Sequence, residues 1–264
     1  ELVALAVKTG LSAIALTDHD TIGGVNRFMT ACGQVEGLEG IPGVEISVDH
    51  SPGTMHMLGY FVRQDCDKLN DVLVRIREGR SIRNKQIFEK LNEIGLTLEW
   101  KDIEHFAGEE VVGRPHFAQA MVKKGYVSSE REAFDKYLAK TKVAYVDRLR
   151  LSAEESIAAI REAGGLAVLS HPFTLGLNNR DLKECVAELV GNGLSGIEVF
   201  YSEHNREQVE NYLNLAKEFK LVATGGTDFH GDLNPAIKLG TGFGSLNVKD
   251  GILADMKARL TNHA

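Results

Sequence analysis

Three short polar clusters close apolar runs in this chain: Thr17-Asp18-His19-Asp20, Ser170-His171-Pro172 and Thr227-Asp228-Phe229-His230. Each follows a stretch that reads as a buried strand, Ala13–Leu16, Leu166–Leu169 and Leu221–Thr224. A buried strand ending in His and Asp aims polar side chains at one mouth of a sheet or barrel. Three such endings, spread over most of the sequence, constrain the fold more than any other feature. They require strands whose C-termini come together.

The pattern between the clusters fits that demand. Strand and helix alternate from Ala13 to about Val62, with a helix over Gly24–Glu36 capped near Asp20 or Thr21 and strands at Ile41–Val48 and Met55–Val62. Alternation resumes at Ser152. Ser152 with Glu155 forms a capping box for a helix to Ala163, closed by Gly164-Gly165. Strand Leu166–Leu169, helix Asp181–Val190, strand Gly196–Phe200, helix Asn205–Phe219 and strand Leu221–Thr224 follow. Such alternation predicts a parallel α/β sheet with crossovers. Between Asp65 and about Leu149 the pattern is helical throughout. Ile82, Ile87, Leu91 and Ile94 recur near helical spacing before Gly95, Pro115 suits a first helical turn, and Ser128-Ser129 caps a helix predicted to reach Lys140. The expected organisation is therefore an α/β domain in two parts, 1–64 and 150–264, holding an all-helical insertion at 65–149.

Bulk properties narrow the function. The 264 residues are 43% hydrophobic and 25% charged, ordinary for a globular protein, and the net charge of −7 excludes the basic footprint of a duplex-DNA binder. No apolar run is long enough for a membrane span, and no signal peptide is visible. Cys32, Cys66 and Cys185 form no C-x-x-C pair, which points to a reducing, cytoplasmic compartment. The opening segment Glu1–Gly10 reads as the last turns of a helix, so a preceding strand is expected upstream.

His19, Glu45, His56, His171, Asp228 and His230 all lie at or near strand ends. A mixed imidazole and carboxylate set suits Zn²⁺, Mn²⁺ or Fe²⁺ better than Mg²⁺ or Ca²⁺. Six ligands exceed the need of one ion, and Glu45, the only Glu among them, is the expected bridge between two. Asp20 reads as an N-cap and Asp18 as a residue that orients an imidazole. His50, His105 and His263 have no supporting context, and the Gly240-x-Gly-x-Gly run fits tight turns better than a phosphate loop.

Thr-Asp-His-Asp-Thr (17–21), Ile-Pro-Gly-Val-Glu-Ile-Ser (41–47), Met-His-Met-Leu-Gly-Tyr (55–60), Ser-His-Pro (170–172) and Gly-Thr-Asp-Phe-His (226–230) resemble, in this order, the motifs of the PHP-domain (polymerase and histidinol phosphatase) phosphoesterases. The resemblance implies a distorted (β/α)7 barrel holding two to three divalent ions, with the six residues above on ligand positions. The family's first motif, an Asp-Leu-His-x-His strand, is not in this sequence and is expected just upstream, where an N-terminal strand is missing. Val112–Ala118 and Tyr137–Val146 resemble the insertion of the branch acting on nucleoside 3′,5′-bisphosphates and on the 5′ ends of short RNA. On that branch Arg114, His116 and Lys142 fall on phosphate-gripping positions of a substrate lid, and His204 resembles a residue near the substrate.

The implied reaction is phosphoester hydrolysis by a metal-bound water, with His116, His204 or a second water protonating the leaving group. The expected partner is a nucleotide or short single-stranded RNA, with no membrane and no stable duplex DNA. Two other readings stay open: a small-metabolite phosphatase of the histidinol-phosphate type, and a degenerate metal-binding PHP domain.

Overall fold

The computed structural model describes residues 1–107, 111–147 and 149–261; His263 lies outside them. The chain divides into two compact units, one comprising Glu1–Val72 and Leu151–Ala264, the other Leu73–Arg150.

In chain order the first unit contains α1 (Leu2–Thr9), β1 (Ala13–Leu16), α2 (Val25–Cys32), β2 (Glu39–Val48) and β3 (Met55–Tyr60). Helix α3 (Asp67–Glu93) carries the chain into the second unit, which holds α4 (Trp100–Ala107), α5 (Arg114–Lys123) and α6 (Glu130–Ala133). The first unit resumes with α7 (Ala153–Glu162), β4 (Leu166–Leu169), α8 (Asn179–Gly191), β5 (Gly196–Tyr201), α9 (Arg206–Glu218), β6 (Val222–Gly226) and α10 (Gly251–Thr261).

The six strands form one mixed sheet in the order β1-β2-β3-β4-β5-β6. The parallel crossovers read from the sequence hold for β1 with β2 and for β4 with β5 and β6. They fail at β3, which runs antiparallel to both β2 and β4. Only residues 49–54 separate β2 from β3. That is too short for a crossover, which needs a dozen residues or more, so the connection must be a hairpin.

The reversal of β3 positions the site. Directly paired residues share a sheet face, so Glu45 with Leu58 and Ser47 with His56 lie on one side. Val168, paired with Leu58, and Glu198, two residues after Gly196 (itself paired with Val168), continue that face. One end of the face is apolar: Leu58, Tyr60, Leu166 and Val168 pack with Ile41 and with Met256 of α10. The other end carries His56, Glu45 and Glu198. The start of β3 thus lies at the same mouth as the ends of the parallel strands, which is how His56, the second residue of its strand, joins residues that follow theirs.

The opposite face is covered by helices. A Cβ on Gly59 would lie 3.0 Å from Ile160 on α7, so helix and strand pack closely at this glycine. Helix α7 starts as read from the sequence, with Ser152 Oγ accepting from Glu155 N–H and Glu155 Oε2 accepting from Ser152 N–H.

The second unit has its own core, centred on Ile87, Leu91, Ile103, Phe117, Met121 and Leu138. The four-isoleucine/leucine stripe expected on α3 is only half internal, because Ile82 is 60% and Ile94 41% exposed. Ile82 precedes Ile87 by five positions, about 140° around the helix. The helix expected to run to Lys140 stops earlier: α6 is followed by one π turn over Phe134–Leu138, and Ala139 is extended.

Candidate metal centre

Glu45 is the hub of the polar mouth. Its Oε2 lies 3.3 Å from His19 Nδ1, and its Oε1 lies 3.0 Å from His56 Nδ1 and 3.1 Å from His171 Nε2. His56 Nδ1 and His171 Nε2 are 3.3 Å apart. Donor atoms of His19, Glu45 and His56 all fall within 4.8 Å of one another, close enough for one metal ion. The His230 ring centroid is 6.0 Å from that of His19, and His230 Nδ1 lies 3.4 Å from Asp228 Oδ1. Of the six residues read as ligands, three imidazoles therefore gather on Glu45, and Asp228 with His230 form a flanking pair reached through His19.

A carboxylate only 4% exposed needs compensation. Burial works to raise the Glu45 pKa, but the imidazoles of His19 and His56 and the hydrogen bond from His171 outweigh it and hold the carboxyl well below its usual range. Burial likewise works to lower the His171 pKa, and hydrogen bonding and charge from Glu45 reverse this and raise it to about 9. Proton and divalent cation compete for such a cluster, since both are held by the same lone pairs.

The donor set fits a metal by a further test. His171 Nδ1 faces Thr174 Oγ1 at 3.0 Å, while the Thr174 hydroxyl has backbone carbonyl acceptors at Thr54 and His171. A hydroxyl has one hydrogen to give, so toward the ring it serves as acceptor for Nδ1–H; once a cation displaces the proton on Nε2, that lone pair faces the Glu45 side. His171 N–H also donates to Glu198 Oε2 at 2.8 Å, and Ser170 Oγ donates to the same oxygen at 3.2 Å. Burial pushes the Glu198 carboxyl up to about 7. On the far side, Tyr201 Oη donates to Asp228 Oδ2 at 3.0 Å.

Three residues of the mouth hold left-handed backbone without being glycine: Asp20 (φ 56°), His171 (φ 23°) and Asp228 (φ 53°). Such conformations cost energy and persist where surrounding bonds fix them. Asp20 shows how. It does not cap α2, whose N-cap is Gly24. Instead it is fully buried and accepts hydrogen bonds from Ser47 N–H (2.7 Å) and Ser47 Oγ (3.0 Å), while its own N–H donates to Glu45 O at 2.8 Å. Asp20 therefore ties the turn carrying His19 to the strand carrying Glu45.

Sequence reasoning passed over Glu198, Tyr201 and Thr174. Glu198 had a legible signal, a carboxylate inside the apolar run Gly196–Phe200, as Glu45 is inside its own. Thr174 and Tyr201 had none, because their partners are distant in sequence.

The remaining candidates are His204 in the larger unit and three residues of the helical unit. His204 packs its ring against Tyr201, Phe173 and Tyr212, with Nδ1 2.8 Å from Val199 O, and burial lowers its pKa. Arg114, His116 and Lys142 belong to the helical unit. Arg114 begins α5, donates to Leu138 O at 3.2 Å and lies 5.4 Å from the Tyr145 ring centroid. His116 is buried, and its Nδ1 accepts from Gly113 N–H at 3.1 Å, a helix-capping bond. Lys142 is exposed in the segment after Leu138.

Comparison with known proteins gives related sequences and structures. The chain is 31% identical over 230 residues to a 5′-3′ exoribonuclease of Haemophilus influenzae, spanning 87% of this chain and 83% of the relative. It is 30% identical over 236 residues to a 3′,5′-nucleoside bisphosphate phosphatase of Chromobacterium violaceum, spanning 87% and 81%. No protein-family model matches. A structure from Bifidobacterium adolescentis described as a metal-dependent phosphoesterase superimposes with a TM-score of 0.86 at 29% identity, covering 98% of this chain and 89% of that one. A Chromobacterium violaceum structure named an amidohydrolase, with bound sulfate and no metal, gives 0.85 at 28% identity, covering 98% and 90%.

Proposed function

The chain belongs to the PHP-domain phosphoesterases, and from that premise we propose that the cluster around Glu45 is the metal centre at which this enzyme hydrolyses nucleotide phosphoesters. The observation that carries the proposal is the convergence of one buried carboxylate with three imidazoles at 3.0 to 3.3 Å. The substrates that fit best are nucleoside 3′,5′-bisphosphates and the 5′ ends of short RNA, in keeping with relatives named a 3′,5′-nucleoside bisphosphate phosphatase and a 5′-3′ exoribonuclease. The fold is proposed to be the distorted seven-stranded barrel of the family, of which six strands are described. The compartment inferred from three cysteines without a disulfide is the cytoplasm.

Two to three divalent ions, Mn, Zn or Fe, are the proposed complement, with His19, Glu45, His56, His171, Asp228 and His230 as ligands. When bound, such ions supply Lewis acidity, activating water at neutral pH and offsetting phosphoryl charge. The protein's own part is preorganisation. Glu45 stays ionised and touches three imidazoles, which suits a bridging position. Thr174 fixes the ring of His171 through Nδ1, Glu198 anchors the backbone of Ser170-His171, and Tyr201 fixes one oxygen of Asp228. Asp20 holds His19 in register with Glu45.

The roles proposed for Arg114, His116 and Lys142 rest on their motifs: Arg takes a phosphate bidentately, Lys as a point charge. His204 is proposed to lie beside the substrate. Its Nδ1–H is committed to Val199 O, so Nε2 is an acceptor in the neutral ring, which favours His116 or a water as the leaving-group acid.

Phosphate release from adenosine 3′,5′-bisphosphate, compared with histidinol phosphate under saturating Mn²⁺, tests the reading. Preference for the bisphosphate supports it. Preference for histidinol phosphate moves the enzyme to the small-metabolite class, and release from neither favours a degenerate metal-binding domain.

A further inference from the structure

We propose that a cavity of about 280 Å³ beside Tyr201 and Phe243 receives the nucleobase of the substrate. The inference rests on the nucleotide reading above and names the part of the nucleotide that the metal centre leaves unrecognised.

The cavity lies within the larger unit, and its walls include Tyr201, Ser202, His204, Phe243, Ser245 and Asn247. It adjoins the metal centre through one side chain. Tyr201, which lines the cavity, donates its hydroxyl to Asp228 and places its ring centroid 5.5 Å from that of His171. A ligand in the cavity is one residue away from the proposed phosphate site.

The lining selects for chemistry. Among the described residues no Lys, Arg, Asp or Glu contributes to it, so it suits an uncharged group and not a phosphate. Phe200, Tyr201 and Phe243 offer aromatic surface, and Asn247 with the two serines offers amide and hydroxyl groups that read donors and acceptors on a ring edge. His204 contributes to the wall, its ring held against Tyr201 and Tyr212. At about 280 Å³ the cavity has room for a purine or pyrimidine ring system.

The loop that presents Phe243 is built for the purpose. Lys238 and Gly242 exchange backbone hydrogen bonds of 2.8 and 2.9 Å, and Gly242 (φ 57°) and Gly244 (φ 112°) flank the ring with backbone that other residues rarely adopt. A Cβ on Gly242 would lie 2.7 Å from Ser202 Oγ, so glycine is what seats the loop against the cavity wall. The turn leaves Phe243 57% exposed. An apolar ring fixed at the rim of a neutral pocket is placed to stack on an incoming base.

The test compares kcat/KM for adenosine 3′,5′-bisphosphate with that for ribose 3′,5′-bisphosphate, which lacks the base, in wild type, Phe243→Ala and Asn247→Ala. Wild type is expected to favour the base-bearing compound roughly tenfold or more, mainly through KM, the size of one base–aromatic stack. Phe243→Ala is expected to remove most of that preference. Equal turnover of the two compounds by wild type, or an undiminished preference in both variants, overturns the proposal. Should neither compound be hydrolysed, the nucleotide-hydrolase reading fails on its own, and equilibrium dialysis with adenosine decides the pocket. Binding weakened by Phe243→Ala supports it, and no binding to wild type overturns it.

Discussion

Asp20 offers a sharp test of how the mouth of the sheet is held. In Asp20→Ala, Ser47 N–H and Oγ lose their acceptors at a residue only 1% exposed, where water does not replace them. Two buried hydrogen bonds to a charged group contribute about 1.5–3 kcal/mol each. Alanine at φ 56° adds about 1 kcal/mol of backbone strain that Asp and Asn bear more easily. Relief of the buried carboxylate's desolvation offsets part of this. The net expectation is a loss of about 3 kcal/mol for Asp20→Ala and about 1 kcal/mol for Asp20→Asn, which keeps an acceptor for Ser47 N–H and tolerates the left-handed backbone. Urea unfolding of chelator-treated protein, followed by circular dichroism, measures both. Divalent-ion affinity, read by competition with a chromophoric chelator, should weaken more in the Ala variant because the turn bearing His19 loosens. Equal stabilities of the two variants, or an Ala variant within about 0.5 kcal/mol of wild type, would refute the reasoning, because surface-like substitutions behave that way.

Three further outcomes follow from the same geometry. Glu198→Ala removes the acceptor for His171 N–H and Ser170 Oγ, and metal affinity should fall by about 10–100-fold, the usual scale for a partner that orients a ligand; unchanged affinity in a competition titration would count against that role. Phe117→Ala empties a fully buried position in the helical unit and should cost about 3–5 kcal/mol, with Trp100 fluorescence as reporter because the two ring centroids are 6.3 Å apart. The Glu132 carboxyl, held at about 2 by its hydrogen bonds to Lys136 and Ser128, gives a stabilising contribution present above pH 4.5 and lost as pH falls toward 2. An NMR titration should place its midpoint there, and Lys136→Met should raise it.

Much of the site was legible because strand ends are legible. Ala13–Leu16 and Leu166–Leu169 are strands at the residues read from their apolar runs, and the His residues that follow them meet at Glu45. The hairpin at β3 was less legible. It required noticing that residues 49–54 cannot hold a crossover, and without that reversal the position of His56 has no explanation. Asp20 was misread because Asp before a helix is a common cap, whereas here a long-range bond to Ser47 takes the carboxylate. The end of the helix after Ser129 was missed because a π turn leaves no clear sequence mark, and α10 was not singled out from the sequence. Glu198 could have been found by the rule that singled out Glu45: a carboxylate inside an apolar strand needs a reason.

Metal content tests the central claim most directly. Wild type and Glu45→Gln, each incubated with Mn²⁺ or Zn²⁺ and freed of loose ions by gel filtration, are compared by elemental analysis, with circular dichroism to show that both are folded. The account predicts at least one tightly held divalent ion per wild-type chain and its loss in Glu45→Gln, since the amide cannot supply the charge that three imidazoles converge on. Equal metal content in the two proteins, or none in wild type, would contradict it.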